Sequence, residues 1–252
     1  MLTKQRQQLL FDYITSHKSA QVTRLCEEFD ISISTVRRDL IELEEHGLIS
    51  RVHGGAVFIE KGNELPILQR SIYQNEEKKR IGAAAAKLVT DNETIMITSG
   101  TTTEAMLPFL SKKNNLTVIT SAINVAYKLS HSPNIAVIML GGWLRHAEFS
   151  VHGHLVESGL KELQPQKLFH GIFGICPDTG LTGSDLQEVQ TDRFLIATIP
   201  QLIILADHTK FRCSGPVRLA PISAVSTVVT DTKAPEGDVQ SLREQGVEVI
   251  MA

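Results

Sequence analysis

The chain has 252 residues, 42% of them hydrophobic and 21% charged, which is enough apolar material for a packed core and long enough for two unequal domains. That excludes a disordered or fibrous chain. A formal charge of −3 gives no general affinity for nucleic acid, so any DNA contact must come from a local arrangement, and aromatics at 5% argue against recognition by base stacking.

The three cysteines, Cys26, Cys176 and Cys213, are far apart and form no CxxC pair. That usage fits a reducing cytosol, not a disulfide frame or a thiolate metal site. Polar residues interrupt every apolar run of the opening segment, and the most apolar stretch, 194–206, is broken by Pro200 and Gln201. The expectation is a cytoplasmic protein with no signal peptide and no membrane span.

In chain order, Leu9, Leu10, Tyr13 and Ile14 recur at helical spacing and predict a first helix. A second covers 22–29. Asp30-Ile31-Ser32 breaks the run, Ser32 is placed as an N-cap, and a third helix runs to about His46, where Gly47 stops it. Residues 48–59 read as two short strands hinged at Gly54-Gly55. On a helical wheel Ile33, Val36, Leu40 and Leu43 share one face of the third helix. Ser34, Thr35 and Arg38 share the opposite face, with Arg37 at its flank.

Hydroxyls and guanidinium groups bond base edges and phosphates in a major groove. The candidate contacts to double-stranded DNA are therefore Ser34, Thr35, Arg37 and Arg38 on the helix, with Arg51 and His53 on the hairpin. Residues 1–59 hold seven Lys/Arg against eight Asp/Glu, which leaves a protein-contact module as the alternative. The position of both arginines in the helix's first half, the part that enters a groove, favours DNA.

Residues 60–75, which include Pro66, read as a linker. Beyond them a helix over 76–89 leads into a strand over 94–98. Strands over 116–120, 135–140, 168–175, 202–206, 227–230 and 247–250 then alternate with helices. Short apolar runs without alternation belong to strands covered on both faces, so residues 76–252 are expected to form an α/β domain with a mostly parallel sheet.

Ligands of open parallel sheets sit beyond the carboxyl ends of the strands. Strand 94–98 runs into Ser99-Gly100-Thr101-Thr102-Thr103, a glycine and hydroxyl loop suited to an anion although neither a Walker loop nor GxGxxG. Gly141-Gly142 follow strand 135–140, and Asp207 and Lys210 follow strand 202–206. Ser99, Gly100, Thr101, Thr102, Gly141, Gly142, Arg145, Asp207 and Lys210 are the candidate contacts to a small phosphorylated effector, with Lys210 and Arg145 as its cationic partners.

His146, His152 and His154 lack a completing ligand apart from Glu148, so no metal or other cofactor is expected. Glu188 and Asp192 at i and i+4 read as a solvated pair on an exposed helix face. A sugar-phosphate isomerase with an appended helical domain is the alternative to a DNA-binding protein that senses such a ligand. It would need a positioned general base, which the strand ends do not offer, and no catalytic residue is expected.

The run Ser34-Thr35-Val36-Arg37-Arg38-Asp39-Leu40, continued by Leu43-Glu44-x-x-Gly47-Leu48-Ile49-x-Arg51-Val52-His53-Gly54-Gly55-Ala56, closely resembles the N-terminal motif of the DeoR family of bacterial transcriptional regulators. The resemblance extends through Ser99-Gly100-Thr101-Thr102, Leu140-Gly141-Gly142, Glu188, Ala206-Asp207-His208-Thr209-Lys210-Phe211 and Thr230-Asp231. It implies a winged helix-turn-helix followed by a sensor domain related in fold to ribose-phosphate isomerases, with Glu188 among the effector contacts. It also implies a homo-oligomeric repressor released by a phosphorylated sugar. Thr98, Ser121 and Asp192 stand where the family usually has Asp, Asn and Lys, so the charge inside the pocket is its own.

Overall fold

The computed structural model describes residues 3–45, 49–58, 67–70 and 74–252. The chain divides into two compact units, Met1–Tyr73 and Gln74–Ala252. In the first, α1 (Thr3–His17), β1 (Ser19–Gln21), α2 (Val22–Phe29) and α3 (Ile33–Glu45) precede a hairpin of β2 (Ile49–Val52) and β3 (Gly55–Phe58). β1 joins the hairpin in an antiparallel sheet of order β1-β3-β2. Leu10, Ile14, Leu25, Val36, Leu40, Leu43 and Ile49 make its core. The arrangement is a helix-turn-helix with a wing.

Ser32 caps α3 by accepting the Thr35 N–H at 3.3 Å. The expected stop at Gly47 lies outside the described residues. So do residues 60–66 and 71–73 of the expected linker, whereas α4 (Ile67–Arg70) forms a helical turn within it. Ile33 corrects the wheel: it is 49% exposed, not part of the packed face. Side chains lean toward a helix's N-terminus, so a first-turn residue projects past the elements that cover Val36 and Leu40.

The second unit opens with α5 (Asn75–Lys87), β4 (Thr94–Ile97), α6 (Thr101–Glu104), β5 (Leu116–Thr120), α7 (Ile123–Leu129) and β6 (Ile135–Met139). A hairpin of β7 (Trp143–Arg145) and β8 (Ser150–His152) leads through α8 (His154–Lys161) to β9 (Lys167–Gly171). Then come β10 (Gly174–Cys176), β11 (Gly180–Gly183), α9 (Leu186–Thr198), β12 (Gln201–Leu205), β13 (Val217–Ala220), β14 (Thr227–Thr230), α10 (Glu236–Glu244) and β15 (Glu248–Met251). Seven strands form one parallel sheet in the order β15-β14-β12-β9-β4-β5-β6, and β10-β11-β13 form a separate antiparallel sheet.

Apolar clusters lie on both sides of the large sheet, one around Met96, Ile119, Leu168 and Ile204, the other around Ile95, Ile97, Val118 and Phe169. Adjacent residues of one strand serve opposite cores, which is why these strands read as unbroken apolar runs. The run 168–175 is not one strand. It ends the parallel strand at Gly171 and resumes at Gly174 in the smaller sheet, where a Cβ would come within 2.1 Å of the Cys213 carbonyl oxygen.

Candidate functional site

On α3, Ser34, Arg37 and Arg38 are exposed and Thr35 is half-buried, its hydroxyl 2.8 Å from that of Ser32. Asp39 faces the other way and is fully buried. Arg6 donates to it from Nε at 2.5 Å and Nη2 at 3.0 Å, which ties α1 to the back of α3. On the wing, the Arg51 N–H donates to Glu44 Oε1 at 2.8 Å and its Nε to Oε2 at 2.6 Å. These bonds hold the Glu44 carboxyl below its usual range and fix the wing to the end of α3. His53 is exposed beside Gly54, whose φ of +81° makes the hairpin turn.

In the second unit the parallel strands finish level. Ile97 pairs with Phe169 on one side and Thr120 on the other, Thr120 pairs with Met139, and Leu205 pairs with Gly171 and Val229. From β4 the chain builds outward to β5 and β6 in one direction, while β9, β12, β14 and β15 lie in the other. The winding therefore reverses between β4 and β9, the place where open α/β sheets hold ligands.

At that point the loop after β4 meets the end of β9. A Cβ on Gly100 would lie 3.7 Å from Gly171 Cα, and one on Gly171 would lie 3.3 Å from the Ser99 carbonyl oxygen. Gly100 has a φ of +140°. The Thr103 hydroxyl donates to the carbonyls of Thr98 at 3.0 Å and Gly100 at 2.9 Å, holding the loop closed on itself. The α6 ladder begins with the Glu104 N–H donating to the Gly100 carbonyl at 3.0 Å. The amides of Thr101, Thr102 and Thr103 therefore precede it. Ser99 is half-buried, and Thr101 and Thr102 are buried.

The two glycines after β6 differ. A Cβ on Gly141 meets nothing within 4 Å, but one on Gly142 would lie 2.5 Å from the His152 carbonyl oxygen, so Gly142 lets the β7–β8 hairpin fold back. That hairpin carries Arg145, whose Nη1 donates to Glu188 Oε2 and whose Nη2 lies 3.4 Å from the Ser184 hydroxyl. The Ser150 hydroxyl donates to Glu188 Oε1 at 3.3 Å, and Asp185 caps α9 by accepting the Glu188 N–H at 2.9 Å.

Asp192, one turn along α9, lies with Oδ2 3.3 Å from Nε2 of His170, a buried residue of β9 whose Nδ1 contacts the Gly171 carbonyl. Burial pushes this imidazole's pKa down, but the Asp192 charge, the Gly171 carbonyl and the Glu188 charge more than offset it, and the result lies above the ordinary histidine value. Glu188 and Asp192 are thus partnered at the rim of the crevice, not solvated on an open helix face.

Past β12, Asp207 is buried and accepts the Thr209 N–H at 3.0 Å and the Thr209 hydroxyl. The Lys210 ammonium sits 5.8 Å from the centroid of the Phe173 ring, two residues beyond Gly171, and has no carboxylate partner among the described residues. Asp231, at the end of β14, accepts the N–H groups of His208 at 2.8 Å and Lys233 at 2.9 Å.

Ser99, Gly100, Thr101 and Thr102 therefore lie at the end of β9. Lys210 lies over Phe173, two residues beyond that end, and the Arg145–Glu188 pair is tied to β9 through Asp192 and His170, Asp192 being on the same helix, α9, as Glu188. His170 and Asp231 were not singled out as site residues by the sequence reasoning. A histidine inside an apolar run is a weak signal that could have marked the first. Gly153, with φ +98°, separates His152 on β8 from His154 at the start of α8, so the two do not share a strand. Among the described residues no three His, Cys, Asp or Glu side chains gather as a metal site.

Residues 6–62 match the model of the DeoR-like helix-turn-helix domain, and residues 73–232 match that of the DeoR C terminal sensor domain. The HTH-type transcriptional repressor CsqR of Escherichia coli is 33% identical over 91% of this chain and 88% of its own. The HTH-type transcriptional regulator IolR of Bacillus subtilis is 31% identical over 98% of each chain, and the glycerol-3-phosphate regulon repressor of Escherichia coli 31% over 99% of each. Among solved structures, ribose 5-phosphate isomerase A from Neisseria gonorrhoeae superposes with a TM-score of 0.42 at 16% identity, over 56% of this chain and 55% of that one. That likeness is too loose to bear on activity, and the relatives named above are transcriptional regulators, not enzymes. With both of its units matched and relatives above 30% identity along nearly its whole length, the chain belongs to the DeoR family of helix-turn-helix transcriptional regulators.

Proposed function

We propose that this regulator represses a carbohydrate-utilisation operon as a cytoplasmic homo-oligomer, gripping double-stranded operator DNA with α3 and its wing and releasing it when a phosphorylated sugar or related metabolite enters the crevice. The DNA-binding domain is taken as 1–59 and the sensing and oligomerisation domain as 76–252, joined by residues 60–75. Ser34, Thr35 and Arg38 read base edges, while Arg37, Arg51 and His53 meet the phosphate backbone.

The effector's phosphate lies against Ser99, Gly100, Thr101 and Thr102, with Lys210 as its cation. Gly141 gives it room, Asp207 holds the Lys210 turn in place, and the Arg145–Glu188 pair faces its hydroxyls. The observation that carries this reading is the close approach of Gly100 and Gly171 at the winding reversal; the Lys210 ammonium, over the ring of Phe173 two residues past Gly171, has no other partner among the described residues. The phosphorylated polyol in the name of one relative, the glycerol-3-phosphate regulon repressor, is of the same chemistry.

A thermal-shift panel of pentose, hexose and polyol phosphates tests it. A ligand of the native state at a hundred times its Kd adds about 2.7 kcal/mol of stability, so one class of phosphosugar is expected to raise the melting temperature while its unphosphorylated parent does not. A flat response across the panel would contradict the reading.

A further inference from the structure

β6 ends the seven-stranded sheet, and among the described residues no strand pairs with its outer edge. The Leu140 N–H donates to the Thr120 carbonyl at 2.8 Å on the β5 side. The period of two therefore turns the main chain of Ala136 and Ile138 toward β5, and that of Val137 and Met139 outward. Free edges are usually blunted by charge, proline or a covering group. The opposite edge is: β15 begins with Glu248, and Arg243 Nη2 donates to the Val249 carbonyl at 3.3 Å. β6 reads Ile-Ala-Val-Ile-Met, with no charge or proline in the strand, and no group covers its outer edge among the described residues.

Exposed apolar side chains lie on the elements around that edge. Trp143 is 73% exposed and Tyr127 68%, with Leu155 at 53% and Met139 at 47%. These residues sit on elements that pack together. A Cβ on Gly153 would lie 3.5 Å from Trp143 Cδ1, one on Gly159 of α8 would lie 3.1 Å from Leu140, and α7 packs on β6.

We propose that two copies of this chain associate through this face, β6 of one pairing antiparallel with β6 of the other. This rests on, and deepens, the homo-oligomer of the preceding reading. A two-fold axis at Val137 sets that residue against its own copy and Ile135 against Met139, so outward-facing groups meet outward-facing groups, as an isologous contact requires. Fully covered, the exposed apolar side chains with Ile138 would give on the order of 600 Å² per copy, and the paired main chains of the two β6 strands add to it, against the roughly 800 Å² per partner of a stable interface.

Trp143 is the only tryptophan in the sequence, so tryptophan emission reports on its surroundings alone, and leaving out any phosphosugar keeps the crevice beside Arg145 out of the signal. Light scattering and tryptophan fluorescence of the full chain, over a concentration series without DNA, form the test. The expected result is assembly in step with a blue shift of Trp143 and protection from iodide quenching. Met139→Lys should weaken assembly about tenfold or more with unchanged circular dichroism, and Leu186→Lys, on another exposed position, should leave it intact. If Met139→Lys perturbs the dichroism, Tyr127→Glu on α7 carries the same expectation. Assembly with Trp143 still fully quenchable, or untouched by these variants, overturns the interface and leaves the homo-oligomer standing. A single chain at every concentration overturns both.

Discussion

Arg37 and Arg38 are neighbours in sequence, but the 100° between successive helical residues separates what they can reach. Arg38→Ala is expected to cost about 1–3 kcal/mol of operator affinity, concentrated at particular base positions, as the loss of a bidentate guanine contact would be. Arg37→Ala should instead weaken binding to all sequences and flatten its salt dependence by about one released counterion. Titrations against operator and base-substituted duplexes at several salt concentrations separate the two. Unchanged operator binding by the Arg38 variant would remove it from the reading surface. His170 behaves differently because its partner sets its charge. With its folded-state pKa raised, the Asp192 contact stabilises the fold fully below the ordinary histidine value and is lost as pH rises through the raised one. The melting temperature of the wild type should therefore fall over that interval, and Asp192→Asn should flatten the fall. A parallel decline in both proteins would show that the pair contributes nothing.

At the scale of the elements, the periodic positions Val36, Leu40 and Leu43 were legible because burial follows directly from helical spacing. The parallel sheet was legible because strands covered on both faces lose their alternation. What escaped was non-local. Glu188 meets Arg145 across 43 positions, and nothing in the stretch around either announces the other. The run 168–175 hid a change of sheet, because Leu168 and Ile175 are buried in the same core although their strands belong to different sheets. β1, β7 and β8, like β10, have three residues each and are too short to leave a pattern. Glycines show the same limit. In an open helix Gly→Ala gains up to about 1 kcal/mol, and Gly237 in α10, with nothing within 4 Å of its Cβ position, should gain some of that. Gly82 in α5 should reverse the sign. Its Cβ would lie 2.5 Å from the Ala105 carbonyl oxygen, backbone that caps the helix bearing the Thr101–Thr103 amides. Overpacking of about 1–3 kcal/mol then outweighs the helical gain. Thermal melts of Gly82→Ala and Gly237→Ala should move in opposite directions, and movement in the same direction would refute the packing argument.

For the whole molecule, sensing requires that the effector prefer the arrangement that does not hold DNA, and each tenfold of preference is about 1.4 kcal/mol of coupling. A single reading helix covers a short site, so useful specificity calls for two or more of them on one operator. Coupling also has to be separable from binding. Lys210 lies in the second unit and α3 in the first, so its loss should affect release without affecting grip. Removing the ammonium takes away a charged hydrogen bond of about 1.5–3 kcal/mol, enough to weaken the effector roughly 10- to 100-fold. The direct measurement uses a duplex selected by the protein from random-sequence DNA and the phosphosugar that stabilises the wild type in the melting panel. Operator release is followed as that ligand is titrated into wild-type and Lys210→Ala complexes. Equal operator affinity and melting temperature, with release by the variant needing 10- to 100-fold more ligand, is the predicted result. Release at the same ligand concentration in both would place the effector elsewhere and contradict the crevice as the sensing site.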